Sequence, residues 1–347
     1  MSIKTEKHEI RLMPKIELHV HIEGATSPQT YFSFAEKNQI DLPCDNLIEW
    51  EKYFDFTDFS HFIDVYGLAV STIKKAEDFA FIIEKFYEFQ AHNNIIYSEA
   101  FLSASFLVET FGNQEILEAI QFGMQQGENK YKTKINLIPD ISRHLPETQT
   151  KVLELAIDGY KKGIFIGLGL GGMEVNFPTN LFRDIFSKAK KIGLRVVAHA
   201  GEAVGSESIW GAINDLKVER IGHGIRSIED KNLIRYLRDN QTPVEVSPTS
   251  NYHLGVVSNS ERHPIREMVD NGLNCSINTD DPAMFSTNIS TEFELLYTQG
   301  FTKEELYELN MNAIDSSFLE PEKKLDLHKT LNEYKTTYNN KYTAFGR

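Results

Sequence analysis

The sequence predicts an α/β fold: a (β/α)8 barrel of the TIM type, with a helical insertion after the first strand and extra helices at its C-terminal end. Eight short apolar runs recur at fairly even intervals along the 347 residues, and amphipathic stretches separate most of them. Strand followed by helix, repeated in this way, builds a parallel sheet with helices outside. No low-complexity segment and no Pro/Gly/Ser linker divides the chain, so residues 1–347 read as one domain. A doubly wound open sheet is the competing arrangement.

The first run, Ile16–Ile22, lies within Lys15-Ile16-Glu17-Leu18-His19-Val20-His21-Ile22. His19 and His21 are two apart, so on a strand both rings leave the same face. Residues 24–93, before the second run at Ile95–Phe101, are mostly helical in pattern and rich in aromatics. Phe59, Phe62, Ile63 and Tyr66 follow the i, i+3, i+4, i+7 spacing of one helix face. Excursions after a barrel strand's C-terminal end shape the mouth of the site, so this insertion reads as a partial lid. Runs three and four are Ile135–Ile141 and Ile164–Leu170, with Gln114–Lys130 and Glu147–Lys162 as helices before them.

Gly167-x-Gly169-x-x-Gly172 ends the fourth run and matches a dinucleotide fingerprint, but Pro178 opposes the helix that the motif requires next. The better reading is a backbone that a flat ligand can approach closely. Leu194–Ala198 ends in His199-Ala200-Gly201-Glu202, and Arg220–Gly224 contains His223. Pro243–Val246 follows, and Leu273–Ile277 ends in Asn278-Thr279-Asp280-Asp281-Pro282. Helices are expected over Asn180–Ile192, Ser208–Leu216, Glu229–Asn240 and His263–Asn271, and over 301–347, where Thr302 is an N-cap.

Composition excludes several function classes. A net charge of −14 opposes a nucleic-acid footprint, which needs a clustered basic face. Cys44 and Cys275 provide neither a disulfide framework nor a CxxC zinc ribbon, and point to a reducing compartment. Met1–Arg11 has no apolar core of a signal peptide, and no apolar run approaches the ~20 residues that span a membrane. A cytoplasmic protein with no nucleic-acid or membrane partner is expected.

Parallel barrel strands converge at their C-terminal ends, so His19, His21, His199, Glu202, His223, Asp280 and Asp281 crowd one mouth. Imidazole plus carboxylate suits zinc and similar divalent ions. Asp280 and Asp281 are adjacent, so their side chains diverge and divide the work: one toward metal, the other toward substrate. His8, His61, His92, His144, His253, His263 and His328 lack spacing partners and read as surface or packing residues, as Glu17 and Glu99 read as structural.

His19-Val-His21, His199-Ala-Gly-Glu202, Arg220-Ile-Gly-His223-Gly and Asn278-Thr-Asp280-Asp281-Pro, in that order, resemble the adenosine/adenine deaminase family. The similarity runs from Met13 to about Leu319. It implies an amidohydrolase-type barrel with one zinc ion per chain, held by His19, His21, His199 and Asp280. It implies Glu202 as proton donor to purine N1 and His223 as the residue that orients the attacking water. It also implies Asp281 facing N7 and the Gly172 N–H facing N3.

The chemistry of the residues agrees. Zinc lowers the pKa of water it holds to roughly 7, and a protonated carboxyl beside N1 contributes roughly 10²–10⁴-fold as charge develops there. Asp281 reads N7 only if it, or N7, is protonated.

Glu23 bears on the substrate. Adenosine enzymes of the family often carry Asp there, against a ribose hydroxyl, and adenine enzymes often carry Glu. Thr249-Ser250-Asn251, Leu254–Val257 and the segment from Gly300 to Leu306 look more like adenosine enzymes. The expectation is therefore hydrolysis of adenosine, and of 2′-deoxyadenosine, to an inosine-type product and ammonia, with Glu23, Phe59, Phe62, Ile63, Gly172 and Asp281 contacting the substrate. Adenine is the alternative, followed by a 5′-modified adenosine such as methylthioadenosine or aminodeoxyfutalosine. A two-metal hydrolase is disfavoured because runs four and five contain no lysine to bridge metals. A non-catalytic binding protein of the same fold is disfavoured by the complete ligand set.

Overall fold

In a computed structural model that describes residues 3–344, the eight expected strands form one sheet. They are β1 (Lys15–His21), β2 (Ile95–Leu102), β3 (Lys134–Ser142), β4 (Gly167–Gly171), β5 (Arg195–Ala200), β6 (Arg220–His223), β7 (Val244–Val246) and β8 (Cys275–Ile277). Each pairs in parallel with the next in chain order. Every residue of β1 is buried, as in a strand covered on both faces.

The seam between β8 and β1 is short. A Val20–Asp280 bridge closes it, with the His21 N–H donating to the Asp280 carbonyl at 2.8 Å and the Asp280 N–H to the His19 carbonyl at 3.0 Å. Just below, the ladder is irregular, and the Asn278 side-chain oxygen accepts from the Leu18 and His19 N–H groups instead. The sheet is thus a nearly closed (β/α)8 barrel whose seam coincides with the histidine and aspartate motifs.

Helix α1 (Ile3–Leu12) precedes β1, and the insertion folds as α2 (Pro28–Asn38), α3 (Leu47–Lys52), α4 (Phe59–Ser71) and α5 (Ala76–His92). Ser27, Asn46 and Asp58 cap the first three of these by accepting from backbone N–H groups, which fixes where each begins. Phe62 and Tyr66 of α4 are buried, and the Phe62 ring lies 5.3 Å from that of Phe285 beyond β8, so this face turns toward the barrel mouth.

Some elements differ in detail from expectation. The helix expected over Ser208–Leu216 begins at Ser206 and ends in a π turn, with Lys217 in the left-handed region. The one expected over Asn180–Ile192 opens with a 3-10 turn, Thr179–Phe182. His199 lies inside β5, because that strand runs two residues past its apolar stretch. Beyond Phe301, Thr302 and Glu305 form a capping box on helix Lys303–Ser316, and a last helix spans Pro321–Ala344.

A second buried polar cluster fills the lower part of the barrel. Arg220 pairs with Glu99 and Glu245, and the Phe318 ring lies 3.8 Å from its guanidinium carbon. Glu99 also accepts from the Tyr97 hydroxyl at 2.6 Å and from the Phe318 N–H. Glu99 is therefore structural, as expected, as is Glu17, which accepts from Thr279 and Gln90. No described helix is long and apolar enough to cross a membrane.

Candidate active site

The ends of three strands, β1, β5 and β8, deliver the metal-ligand candidates. His19, His21, His199 and Asp280 each offer one donor atom, all lying within 4.8 Å of one another and all buried. Asp280 Oδ1 is 3.3 Å from His19 Nε2 and 3.4 Å from His21 Nε2, and the Nε2 atoms of His21 and His199 are 3.1 Å apart. Two imidazole nitrogens facing each other beside a carboxylate, out of water, suit a shared divalent cation. The opposite edges of two rings are held: His19 Nδ1 by Glu245 at 2.8 Å and His199 Nδ1 by the Leu170 carbonyl at 2.9 Å. Such outer partners fix which nitrogen points inward.

The electrostatics keep most of these groups able to ligate. Burial pushes His21 down to about 4 and His199 well below its ordinary value, so both rings are neutral. Burial also opposes a proton on His19, but hydrogen bonds to Asp280 and Glu245 outweigh it and hold the ring at about 9. Burial favours a neutral Asp280, yet its contact with His19 and the surrounding imidazoles hold it well below the carboxylate range. His19 thus carries the one positive charge among these four groups, where a cation's charge would fit.

Glu202, His223 and Asp280 form an adjoining group. His223 Nε2 lies 3.7 Å from Glu202 Oε2 and 3.9 Å from Asp280 Oδ2, and Ser250 donates to that Oδ2 at 2.7 Å. Burial, then the nearby Asp280 and Glu174 charges, push Glu202 well above the carboxylate range. Asp281 is pushed the same way by burial and by Asp280. Both carboxyls are thus biased toward holding a proton, and one oxygen of each is buried without a partner. His223 and Asp280 adopt φ of 61° and 66°, a costly backbone for non-glycine residues that functional sites tolerate.

These groups open onto a cavity of about 540 Å³ including its mouth, within the usual range for small-ligand sites. Phe59, Phe62, Ile63, Tyr66, Phe106 and Leu254 supply its apolar walls, and Gly172, Asp281, Glu202 and His223 lie at its polar end. Glu23 does not line it. Its carboxyl is fully buried behind the wall, accepting from the Ser103 N–H at 2.9 Å, while Ser103 and Tyr66, hydroxyls 2.6 Å apart, face the cavity.

His144 departs from expectation, because it lines the cavity rather than the surface. His253 packs against Phe285, and His263 is buried against Asn251.

Sequence reasoning missed Glu245, which holds His19, and Glu174, which binds the loop carrying Glu202. It also missed Asp140, a buried carboxyl on the cavity wall, and Gly24, where a Cβ would stand 1.7 Å from Asp281 Oδ1. Each depends on a contact between distant segments and leaves no local pattern.

The adenosine deaminase family profile matches residues 14–334. The chain belongs to the adenosine deaminase family. Among relatives of this deaminase chain, an adenine deaminase of Wolinella succinogenes is 35% identical over 330 residues, covering 94% of this chain and 99% of that one. The crystal structure of an adenine deaminase from Arthrobacter aurescens matches with a TM-score of 0.88 at 30% identity, covering 93% of this chain and 99% of that one. An amidohydrolase from Burkholderia ambifaria, crystallised with bound Zn, shares the fold with a TM-score of 0.88 at 24% identity, covering 96% and 94%. The protein is accordingly a hydrolase of the deaminase class, with a divalent-metal site and a small purine substrate.

Proposed function

We propose that the protein hydrolyses adenine to hypoxanthine and ammonia, with one zinc ion held by His19, His21, His199 and Asp280. The observation that carries the choice of base over nucleoside is the 35% identity, over nearly the whole chain, to a protein named adenine deaminase. The order of preference drawn from sequence, adenosine before adenine, is thereby reversed. Glu23 supports the reversal: its longer side chain reaches back to Ser103 and leaves the wall to two hydroxyls already bonded to each other. A ribose adds hydroxyls that need partners, and this wall offers few. The segment from Gly300 to Leu306, which favoured the nucleoside, caps a helix packed near the start of β1, at the other end of the barrel.

The donor set of three imidazoles and a carboxylate suits zinc, which when bound lowers the pKa of water enough to supply a nucleophile near pH 7. The chain does the rest. Glu202 holds a proton for N1 as electron density arrives there during attack at C6. His223 and the Asp280 oxygen bonded to Ser250 orient the attacking oxygen and receive its proton. Asp281, whose carboxyl is pushed toward the protonated form by burial and the nearby Asp280, donates to N7, and the Gly172 N–H donates to N3. Phe62 and Leu254 cover the ring faces and exclude water.

An ultraviolet assay comparing adenine, adenosine and methylthioadenosine tests the reading. The highest kcat/KM is expected for adenine, and preference for either nucleoside returns residue 23 to a ribose-binding role. Elemental analysis should find about one zinc per chain, with activity lost on chelation; activity indifferent to chelation contradicts the metal assignment.

A further inference from the structure

The Glu174 carboxylate is buried in a nest of donors. Oε1 accepts from the Gly201 N–H at 2.7 Å and from the Ser208 hydroxyl. Oε2 accepts from the N–H groups of Glu202 at 3.2 Å, Ala203 at 2.9 Å and Val204 at 2.8 Å. Four consecutive amides and a hydroxyl thus converge on one side chain. Arg143 braces the same junction, donating to the Phe177 carbonyl at 2.8 Å and to the His199 carbonyl. Glu174 belongs to the loop after β4 and stands two residues beyond Gly172. All its donors belong to the segment after β5, which carries Glu202.

We propose that Glu174 is a positioning residue that fixes the distance between the two groups reading neighbouring ring nitrogens, the Gly172 N–H at N3 and the Glu202 carboxyl at N1. The proposal rests on the purine contacts assigned under the proposed function. A purine holds N1 and N3 at a rigid separation, so two independent loops can read both atoms only if each is fixed relative to the other. An ionised carboxylate does this because its two oxygens accept from several donors at once, and such charge-assisted bonds are short and directional. A glutamine of the same length cannot, because its NH2 group turns donors toward backbone donors. Displacement of a reacting group by about 1 Å costs roughly 10²-fold in rate.

The test uses metal-loaded wild-type enzyme and the variants Glu174→Gln and Glu174→Asp. Turnover of adenine is measured beside the inhibition constants of purine and of 3-deazapurine, in which a C–H replaces N3. The wild-type enzyme should bind purine more tightly than 3-deazapurine. In Glu174→Gln, kcat should fall roughly 10²-fold with metal content retained, and the preference for purine should collapse toward unity. Glu174→Asp, which keeps the charge on a shorter stem, should restore part of both, and it carries the test if Glu174→Gln does not fold.

Unchanged kcat overturns the proposal. So does a fall in kcat with the purine preference intact, because a merely structural role lowers rate or stability without choosing between N3 and C–H. A wild-type enzyme indifferent to N3 overturns the underlying reading of the site, and the proposal with it.

Discussion

The barrel interior holds two buried charged clusters, one above the other on the same strands, and they are organised in opposite ways. The lower cluster pairs Arg220 with Glu99 and Glu245 and covers the guanidinium with Phe318. The upper cluster gathers four imidazoles, Asp280, Asp281 and Glu202 with no lysine or arginine among them, and leaves one carboxyl oxygen each of Glu202 and Asp281 buried without a partner. Glu245 joins the two, touching Arg220 below and His19 above. A buried cluster in which carboxylates gather around a guanidinium is a piece of structure. One with repelling carboxyls and no lysine or arginine among them carries a stability cost that points to a ligand or a reaction.

The comparison can be broken at either level. The largest effect is expected from Glu202→Gln in the upper cluster. Turnover should drop at least 10²–10⁴-fold with metal content and thermal midpoint nearly unchanged, because the amide has no acidic proton for N1. Near-normal turnover removes Glu202 as the acid. In the lower cluster, Glu99→Ala should do the reverse, costing about 3–5 kcal/mol in chemical denaturation by breaking one of the two Arg220 ion pairs and orphaning the Tyr97 hydroxyl and the Phe318 N–H, while the remaining folded enzyme keeps its kcat. A loss under about 1 kcal/mol shows that the lower pair is not structural in the sense argued.

Gly24→Ala should raise KM for adenine several-fold and leave metal content alone, since the new Cβ displaces Asp281 and not a ligand. Equal loss of metal places Asp281 closer to the cation than argued.

The smallest effect concerns Lys15 at the foot of β1, fully buried, its ammonium donating to the carbonyls of Arg11 and Met13. Burial lowers it from 10.5 to about 7. Below pH 7 both folded and unfolded chains carry its proton, and the burial cost is fully present. Between about 7 and 10.5 only the unfolded chain binds it, so wild-type stability rises with pH across that window. Lys15→Met should therefore gain in thermal midpoint relative to wild type as pH falls from 10 to 6. A difference independent of pH removes Lys15 as a source of that slope.

The upper cluster was legible in the sequence because strand periodicity and barrel topology bring strand ends together whatever the loops do. His19 and His21 share a face by spacing alone, and His199, His223 and Asp280 each terminate an apolar run. The lower cluster was half legible: Glu99 reads as structural, but nothing local pairs it with Arg220, 121 residues away. Glu174 was invisible for the same reason, since its partners are backbone amides of another loop, which carry no residue signature. Glu23 was found but misplaced, because its reach to the Ser103 N–H depends on where β2 ends.

The seam between β8 and β1 has a consequence for how the chain is made. The four proposed ligands come from β1, β5 and the end of β8, and Asp280 meets Val20 across the seam between the last strand and the first. A cation held there acts as a clasp between the earliest and latest strands to leave the ribosome, closing a loop of some 260 residues. Until Asp280 emerges, an N-terminal fragment has no complete site and no closed cylinder, so metal capture belongs to the last stage of assembly. Stripping the ion should loosen the cylinder at that seam first, with hydrogen exchange rising in Leu18–His21 before it rises in the strands opposite.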